Sequence, residues 1–412
     1  MNKKILIIGG GVIGLMNAYY LSQAGHKVTI IDESDITNNT SFGNAGLLSA
    51  FEKDPLSHPG IILSTFKLIL QGRSPLTFTP RLDPLLYKWL IKFATSATHQ
   101  RLKKTLILFE RYGKLAVEGY ENILKNGVNF EMHQNGLLLV YTEVKSYKAK
   151  QKQLENNPYS RELSKKEIKQ MLPLTKIDKV QGAFMLKRDS HIDPKTLMEA
   201  LKSKLIKNGV DIITNQRVTK LEKISGKITA AITEANRYEA NTFLLATGAD
   251  TSLAKELGRE LILTPAKGYS ITFNMEKSLQ PKTAALFVDI FTALSPRNNS
   301  VRITSKLELG SKNREINPKV IEKMVKTLKQ YTIDFELKNP KSWAGLRPLT
   351  PNDMPLIGRD DQYNNLIYAT GLGWLGITMA PAIAHIIENL VSNNLQNKDS
   401  EDILLFSGFY QG

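Results

Sequence analysis

The 412-residue chain contains no cysteine and only six histidines, which are widely separated in sequence. Without cysteine there is no disulfide, no thiolate metal site, no cysteine nucleophile and no cysteinyl bond to a cofactor. The spacing of the histidines gives no local metal-binding motif, so no metal is expected. The chain also lacks an apolar run of the roughly 20 residues that span a bilayer. Its first apolar strand begins at residue 4, which leaves no room for a signal peptide and favours a cytoplasmic protein.

Acidic residues are scarce: 39 Asp and Glu stand against 55 Lys and Arg, for a net charge of +16. The imbalance is strongest between residues 61 and 104, where Asp83 is the one acid among eight basic and many large apolar residues. Basic and apolar side chains together are typical of a segment that lies on an anionic bilayer. We therefore expect segment 61–104 to make peripheral contact with the inner face of the cell membrane. Core helices with solvated lysines are the alternative.

Glycine is concentrated in short segments, the first of them at the start of the chain. An apolar strand pattern over residues 4–8 leads into Gly9-Gly10-Gly11-Val12-Ile13-Gly14, then a helical pattern and a second strand that ends at Asp32. In such a unit the first glycine allows a tight turn, the second lets the backbone approach a pyrophosphate, and the third lets helix and strand pack closely. The helix N-terminus attracts phosphate, and the carboxylate can accept hydrogen bonds from ribose hydroxyls. The sequence therefore predicts a dinucleotide site.

Small residues return at three later places. Residues 40–46 are mostly small, so their backbone can lie along a pyrophosphate or a flat ring without side-chain collision. Thr247 and Gly248 end another buried strand pattern, which is where ligands bind in open α/β sheets. Glycines at 371, 373 and 376 precede a C-terminal helical pattern.

The order of these patterns predicts an α/β fold with two interleaved domains. A simple NAD dehydrogenase continues its first βαβ unit with more of the same, but here helices and alternating strands follow, including a predicted strand pair around Asn135-Gly136. We expect a discontinuous Rossmann-like domain into which a mostly antiparallel β-sheet substrate domain is inserted. The first comprises residues 1–56, 194–258 and 341–412, and the second comprises residues 57–193 and 259–340.

In their joint order and spacing these segments resemble the FAD-dependent D-amino-acid oxidase superfamily over essentially the whole chain. The resemblance is strongest to its D-amino acid dehydrogenase small-subunit branch. The segments that carry it are the opening glycine turn and residues 40–46, 267–270, 345–353 and 369–376. It implies FAD as the cofactor. We expect the FAD to be non-covalent, because the chain has no cysteine and no histidine lies within the glycine motifs.

The resemblance further implies oxidative deamination of D-amino acids to 2-oxo acids and ammonia, by hydride transfer from Cα to flavin N5. A quinone or another respiratory carrier is then the expected electron acceptor. An oxygen-using oxidase of glycine, sarcosine or a secondary amine of the proline or hydroxyproline type is the main alternative. A nucleic-acid-binding or tRNA-modifying flavoprotein is less favoured, because the methyltransferase domain of that family is absent and no RNA-stacking motif is visible. No nucleic-acid partner is expected.

Three residues are candidates for binding the substrate. By resemblance Arg347 is the catalytic-site residue that binds the α-carboxylate, since a guanidinium pairs with a carboxylate through two hydrogen bonds. Tyr269 is a second candidate donor to the carboxylate, with a core strand tyrosine as the equal alternative. His191 is a candidate for the substrate pocket, against the alternative of a structural histidine.

The resemblance also defines a set of cofactor-binding residues. Val218 would supply backbone contacts to adenine, and the helix that begins near Gly376 would point its positive end at flavin N1 and the C2 carbonyl. The full predicted set is Gly9, Gly11, Val12, Ile13, Gly14, Asp32, Glu33, Ser41, Asn44, Ala45, Gly46, Leu47, Val218, Thr247, Gly248, Gly371, Gly373, Trp374, Leu375, Gly376, Ile377 and Thr378.

Overall fold

The computed structural model describes residues 2–36, 39–49, 57–61, 76–79, 82–395 and 403. The described helices are α1 (Val12–Gln23), α2 (Pro84–Ser96), α3 (His99–Lys125), α4 (Val144–Leu154), α5 (Lys165–Met171), α6 (Pro194–Lys207), α7 (Ser252–Glu256), α8 (Pro318–Lys329) and α9 (Gly376–Ser392). The described strands are β1 (Lys4–Ile8), β2 (Lys27–Ile31), β3 (Leu47–Leu48), β4 (Leu76–Phe78), β5 (Met132–His133), β6 (Leu137–Tyr141), β7 (Ser160–Leu163), β8 (Gly182–Leu186), β9 (Ser190–Ile192), β10 (Asp211–Ile213), β11 (Lys220–Ile224), β12 (Lys227–Ile232), β13 (Arg237–Glu239), β14 (Thr242–Leu245), β15 (Thr264–Asn274), β16 (Ala284–Phe287), β17 (Thr292–Arg297), β18 (Ser300–Leu309), β19 (Lys338–Leu349), β20 (Leu356–Arg359) and β21 (Leu366–Thr370).

A six-stranded sheet with the order β10-β2-β1-β14-β21-β20 forms the first layer. Its first five strands are parallel, and β20 is antiparallel to β21. The central strands are almost entirely apolar, as expected where a parallel sheet is covered on both faces. Helix α1 contacts α6 and α9, and α9 in turn contacts α3, so that these helices share one core with one face of the sheet.

A nine-stranded, mostly antiparallel sheet forms the second layer. Its order is β19-β15-β18-β17-β16-β6-β8-β7, with β4 added beside β18. Side chains on a strand alternate between the two faces. One face carries Tyr269, Ile271 and Phe273, which pack in a core with α8 residues such as Met324 and Leu328. The other face is more polar, and it turns toward the loop that follows β2.

The predicted fold class is confirmed: a Rossmann-like sheet is assembled from separated parts of the chain and is combined with a mostly antiparallel sheet. One predicted boundary falls inside a strand. Residues 341–349, which the sequence assigns to the cofactor domain, form the second half of β19, and β19 pairs with β15 in the nine-stranded sheet. The reason is that the strand runs without a break from Lys338 to Leu349. The division into two domains stays a proposal that the strand orders support.

The predicted strand pair around Asn135-Gly136 is wrong. Strands β5 and β6 flank that turn, but β5 pairs with β9, whereas β6 lies between β8 and β16. Five consecutive buried residues in β6 favour a central place in the large sheet, and this overrides the local hairpin signal.

The basic and apolar segment 61–104 is described only in part, because residues 62–75, 80 and 81 lie outside the described residues. Within it, α2 buries Leu86 and Trp89 and leaves Tyr87 and Ile91 exposed. Within the described part of the chain, no helix has both the length and the apolar character needed to cross a bilayer.

Candidate active site

A cavity of about 710 Å³ lies at the carboxyl ends of β1, β2, β14 and β21. The N-termini of α1 and α9 both open onto it. Their N-cap residues, Gly11 and Leu375, make no side-chain capping hydrogen bond. Both helix N-termini present partial positive charge to the same space, and the Val12 N–H of α1 donates to the Ser41 hydroxyl. The cavity is therefore suited to a ligand with phosphate or other electron-rich groups at two points.

The glycine turn shows that part of this space is reserved for a ligand. A Cβ on Gly9 would lie 2.4 Å from the carbonyl oxygen of Ala246, and one on Gly14 would lie 1.8 Å from the carbonyl oxygen of Gly9. The packing of the protein itself thus requires glycine at these two positions. At Gly11 the nearest heavy atom to such a Cβ is the Ser41 hydroxyl, at 3.6 Å. The fold itself therefore does not require glycine at this position. A pyrophosphate that lies close to the backbone would require it, because a side chain would occupy the same space.

Asp32 lines the cavity and also orders the turn. Its carboxylate accepts hydrogen bonds from the Gly10 N–H at 2.5 Å, the Ser34 N–H at 2.8 Å and the Ser34 hydroxyl at 2.6 Å. Carboxylate oxygens can accept further bonds beyond these. Asp32 thus has a structural role in the turn, and its contact with ribose stays a prediction.

An ion-paired group of one arginine and two acids lies beside Asp32 at the same end of the cavity. Arg217 donates to Glu33 at 2.8 Å and to Asp250 at 2.7 Å, and all three line the cavity with Val218. The sequence analysis missed Arg217 and Asp250. Their signal was weak, since each is a single charged residue in a loop.

The loop that follows β2 joins the two large sheets. The Ser41 hydroxyl accepts a hydrogen bond from the Val12 N–H at 3.1 Å, which ties the loop to the start of α1. On the other side, the guanidinium of Arg302 in β18 donates to the carbonyls of Phe42 at 2.5 Å and Asn44 at 2.8 Å. Desolvation, with a smaller effect of a neighbouring arginine, lowers the pKa of Arg302 to about 9. The sequence analysis missed Arg302.

Arg347 lies near the end of β19 and lines the cavity. Its side chain is half-buried, and burial lowers its pKa to about 10. Its Cζ atom lies 2.7 Å from the place that a Cβ on Gly268 would occupy, so the guanidinium rests on that glycine. Among the described residues it has no carboxylate or hydrogen-bond partner. A partly desolvated cation without an anion is costly, and an anionic ligand would compensate it.

Tyr269 is not brought to the cavity. It pairs with Ala344, three positions from Arg347 along β19, so the two side chains project from opposite faces of the sheet. Its hydroxyl donates to Glu308 at 2.8 Å, and burial together with that carboxylate raises its pKa. The structure therefore favours the alternative of a core strand tyrosine, and the role of Tyr269 as a second donor to a carboxylate stays a prediction.

His191 is likewise outside the cavity lining. It lies in β9, between β3 and β5, with 1% of its surface exposed, and it stacks on His133 at 4.6 Å between ring centroids. Neither ring nitrogen has a hydrogen-bond partner in the described part of the chain. Burial, followed by the charges of His133 and Arg297, lowers its pKa to about 3. The structure thus favours the structural alternative over a place in the substrate pocket.

The remaining predicted cofactor residues fall into two groups. Those that line the cavity are Gly9, Gly11, Val12, Ile13, Asp32, Glu33, Ser41, Asn44, Val218, Thr247, Gly248, Gly373, Gly376 and Ile377. Those that are not among its lining residues are Gly14, Ala45, Gly46, Leu47, Gly371, Trp374, Leu375 and Thr378. The second group supports the walls; the Thr378 hydroxyl, for example, donates to the carbonyl of Leu47 at 3.0 Å. Trp343 also lines the cavity and was missed.

An open parallel sheet with a Gly-x-Gly-x-x-Gly turn and two helix N-termini on one cavity defines a dinucleotide-binding protein. Over residues 4–390 the chain matches the model of one such family, described as FAD dependent oxidoreductase (DAO), and it belongs to this family. FAD is therefore its cofactor. The room for a Cβ at Gly11 and the two helix N-termini that open onto the cavity suit that group. Non-covalent attachment stays a prediction.

Relatives of known name and structure agree in length with the chain. A D-amino acid dehydrogenase of Helicobacter pylori (strain J99) is 45% identical over 411 residues, covering 100% of both proteins. Among solved structures, the L-proline dehydrogenase of P. horikoshii superposes with a TM-score of 0.74 at 17% identity, covering 100% of this chain and 99% of the other. The glycine oxidase of Bacillus cereus gives a TM-score of 0.71 at 19% identity, with the same coverage. The two structures share the fold.

The contrast between two glycines gives a first prediction. The Gly11→Ala variant should keep the stability of the apoprotein, since its methyl has room, but should weaken FAD binding at least 10-fold, about 1.4 kcal/mol. The Gly14→Ala variant should instead lose several kcal/mol of unfolding free energy, because its methyl meets backbone. Urea unfolding of the apoproteins and fluorescence titration with FAD measure both. Equal FAD affinity in Gly11→Ala and wild type would contradict the assignment of the turn.

The buried His191 predicts a pH dependence of stability. Its pKa is 6.5 in the unfolded chain and about 3 in the fold, so its neutral form is favoured by folding. The contribution of His191 to the free energy of unfolding is then present above pH 6.5 and is lost as the pH falls below that value. The loss is about 2 kcal/mol between pH 7 and pH 5. In a His191→Phe variant this loss should be smaller by that amount, measured by urea unfolding at both pH values with the same FAD concentration. An identical loss in both proteins would show that His191 titrates normally.

Proposed function

We propose that this protein is an FAD-dependent D-amino acid dehydrogenase, which converts a D-amino acid to an imino acid that water hydrolyses to a 2-oxo acid and ammonia. The observation that carries the proposal is the half-buried guanidinium of Arg347, which faces the cavity without a partner among the described residues. The name of the 45% identical relative supports the choice of D-amino acids.

The proposed task of Arg347 is to bind the substrate carboxylate through both of its terminal nitrogens, which fixes position and orientation together. FAD, when bound, would supply the acceptor for the hydrogen and the two electrons that leave Cα. The described side chains that line the cavity include no histidine and no tyrosine. The proposal therefore assigns no ring base, and the amino group releases its proton to solvent before oxidation.

Flavin bleaching tests the reaction. Anaerobic mixing with D- and L-amino acids should bleach the flavin absorption band with D-amino acids and leave it unchanged with their L-enantiomers. Oxygen consumption should then be slow in comparison with the reduction of a quinone-like dye. Bleaching by L-amino acids alone would contradict the proposal, and oxygen consumption as fast as dye reduction would favour the oxidase alternative.

Electron transfer to a quinone or another respiratory carrier at the membrane is part of the same proposal. What supports it is the surface of α2 and the residues before it, where Leu82 is 96% and Ile91 is 66% exposed. Lys103 and Lys104 are exposed in the next helix, α3, within the same basic and apolar segment. Apolar side chains beside basic ones suit an anionic bilayer surface.

Replacement of the guanidinium gives a further prediction. Arg347→Lys keeps the charge but removes the two-pronged guanidinium. We therefore expect kcat/KM for D-amino acids to fall, mainly through a higher KM, by a factor that corresponds to roughly 2–4 kcal/mol of lost transition-state stabilisation. Steady-state dye reduction measures it. The control is Arg161→Lys, the same substitution at an arginine of β7 that forms an exposed ion pair with Glu167. A kcat/KM near that of the wild type in Arg347→Lys would place the carboxylate elsewhere.

Membrane contact is tested by exchanging exposed apolar residues for a charge. The double variant Leu82→Asp/Ile91→Asp should lose binding to anionic vesicles, because both apolar contact and electrostatic attraction are removed. Ile206→Asp/Ile224→Asp is the matched control, with two exposed isoleucines elsewhere and the same change of charge. Vesicle flotation at low and high salt is the measurement, and binding by the wild type should decrease with salt. If wild type and both variants float alike, α2 is not the contact.

A further inference from the structure

Two side chains of the cavity rest on a pair of facing glycines. Gly268 in β15 and Gly345 in β19 are direct cross-strand partners. A Cβ on Gly268 would lie 2.7 Å from Cζ of Arg347, and a Cβ on Gly345 would lie 2.2 Å from Cη2 of Trp343. Because paired residues of antiparallel strands lie about 4.5–5.5 Å apart, the guanidinium and the indole are neighbours on one face of the sheet.

Backbone on both sides limits the movement of the indole. On the side away from the sheet lies Gly43, where a Cβ would come within 2.0 Å of Trp343 Cδ2. The indole is therefore held between the strand pair and the loop that follows β2. Arg302 fixes that loop by donating to the carbonyls of Phe42 and Asn44, the neighbours of Gly43. Trp343 is half-buried and lines the same cavity as Arg347. It forms a rigid apolar wall directly beside the guanidinium.

We propose that Trp343 limits the size of the substrate side chain, so that D-amino acids with a short side chain are preferred over those with a long or branched one. The inference rests on the proposed function of Arg347. A carboxylate in the fork of Arg347 brings Cα and its substituent next to the indole, and the same cavity must also hold FAD. A fixed wall at this place discriminates by volume, at roughly 10- to 200-fold for each excess methylene.

The Trp343→Phe variant is the direct test, since it keeps an aromatic ring beside Gly43 while reducing the volume of the wall. The ratio of kcat/KM for D-leucine to kcat/KM for D-alanine should rise at least 10-fold over that of the wild type. Flavin content and absorption spectrum should stay as in the wild type. An unchanged ratio in a variant with full flavin content would overturn the inference.

The two glycines provide matched variants that separate specificity from binding. Gly345→Ala places its methyl against the indole and should change the ratio between D-leucine and D-alanine. Gly268→Ala places its methyl against the guanidinium and should raise KM for both substrates without changing the ratio. A general loss of structure would lower flavin content in both variants and leave the ratio unchanged. The same effect of both variants on the ratio would overturn the separate role of Trp343.

Binding of simple carboxylates distinguishes this inference from the proposed function. Acetate and benzoate are the probes, and the shift of the flavin spectrum gives their dissociation constants. In Trp343→Phe, benzoate should bind at least 10-fold more tightly relative to acetate. If the wild type oxidises no D-amino acid but this shift occurs, the proposed function is wrong and the proposed role of Trp343 is supported. If the relative affinity stays unchanged, the proposed role of Trp343 is wrong, whichever substrate the protein uses.

Discussion

The structure depends on the loop that joins its two large sheets. The Ser41 hydroxyl holds the loop to the N-terminus of α1, and Arg302 holds the carbonyls of Phe42 and Asn44 from the opposite layer. Each contact uses a group that would otherwise be costly to bury, namely a helix N–H, peptide carbonyls and a guanidinium. The loop therefore determines how the antiparallel sheet lies over the dinucleotide turn, and it supports the wall formed by Trp343.

The parts of the site that the sequence predicts are those formed by local chain geometry. The turn from Gly9 to Gly14 and the carboxylate of Asp32 belong to one βαβ unit, in which helix and strand periods determine where each residue points. Their position at the cavity follows from a stretch of about thirty residues. Conversely, the strand pair around Asn135-Gly136 is wrong because its local signal is weaker than the packing of β6 in a distant sheet.

The face on which a strand side chain lies depends on register, which a single sequence does not contain. Tyr269 lies on the face opposite to Arg347, and His191 pairs with β3 and β5 away from the cavity. Both outcomes depend on partner strands that are remote in sequence. Trp343 was within reach of sequence reasoning: it lies four residues before Arg347, and a period of two places it on the same face of any strand that contains both.

Arg302 and Arg347 show two uses of a desolvated guanidinium in one sheet. Arg302 donates to peptide carbonyls, so the cost of its partial burial is offset within the fold. For Arg347 no partner exists among the described residues, and its lowered pKa reflects burial alone. The desolvation cost of Arg347 is not offset within the described fold, so a carboxylate ligand can offset it. Such a ligand gains more binding free energy here than at a guanidinium that is already paired. In the proposed binding mode, the fixed indole beside Arg347 favours a carboxylate with a small substituent. The proposed affinity and selectivity then share one structural cause, the pair of glycines on which both side chains rest.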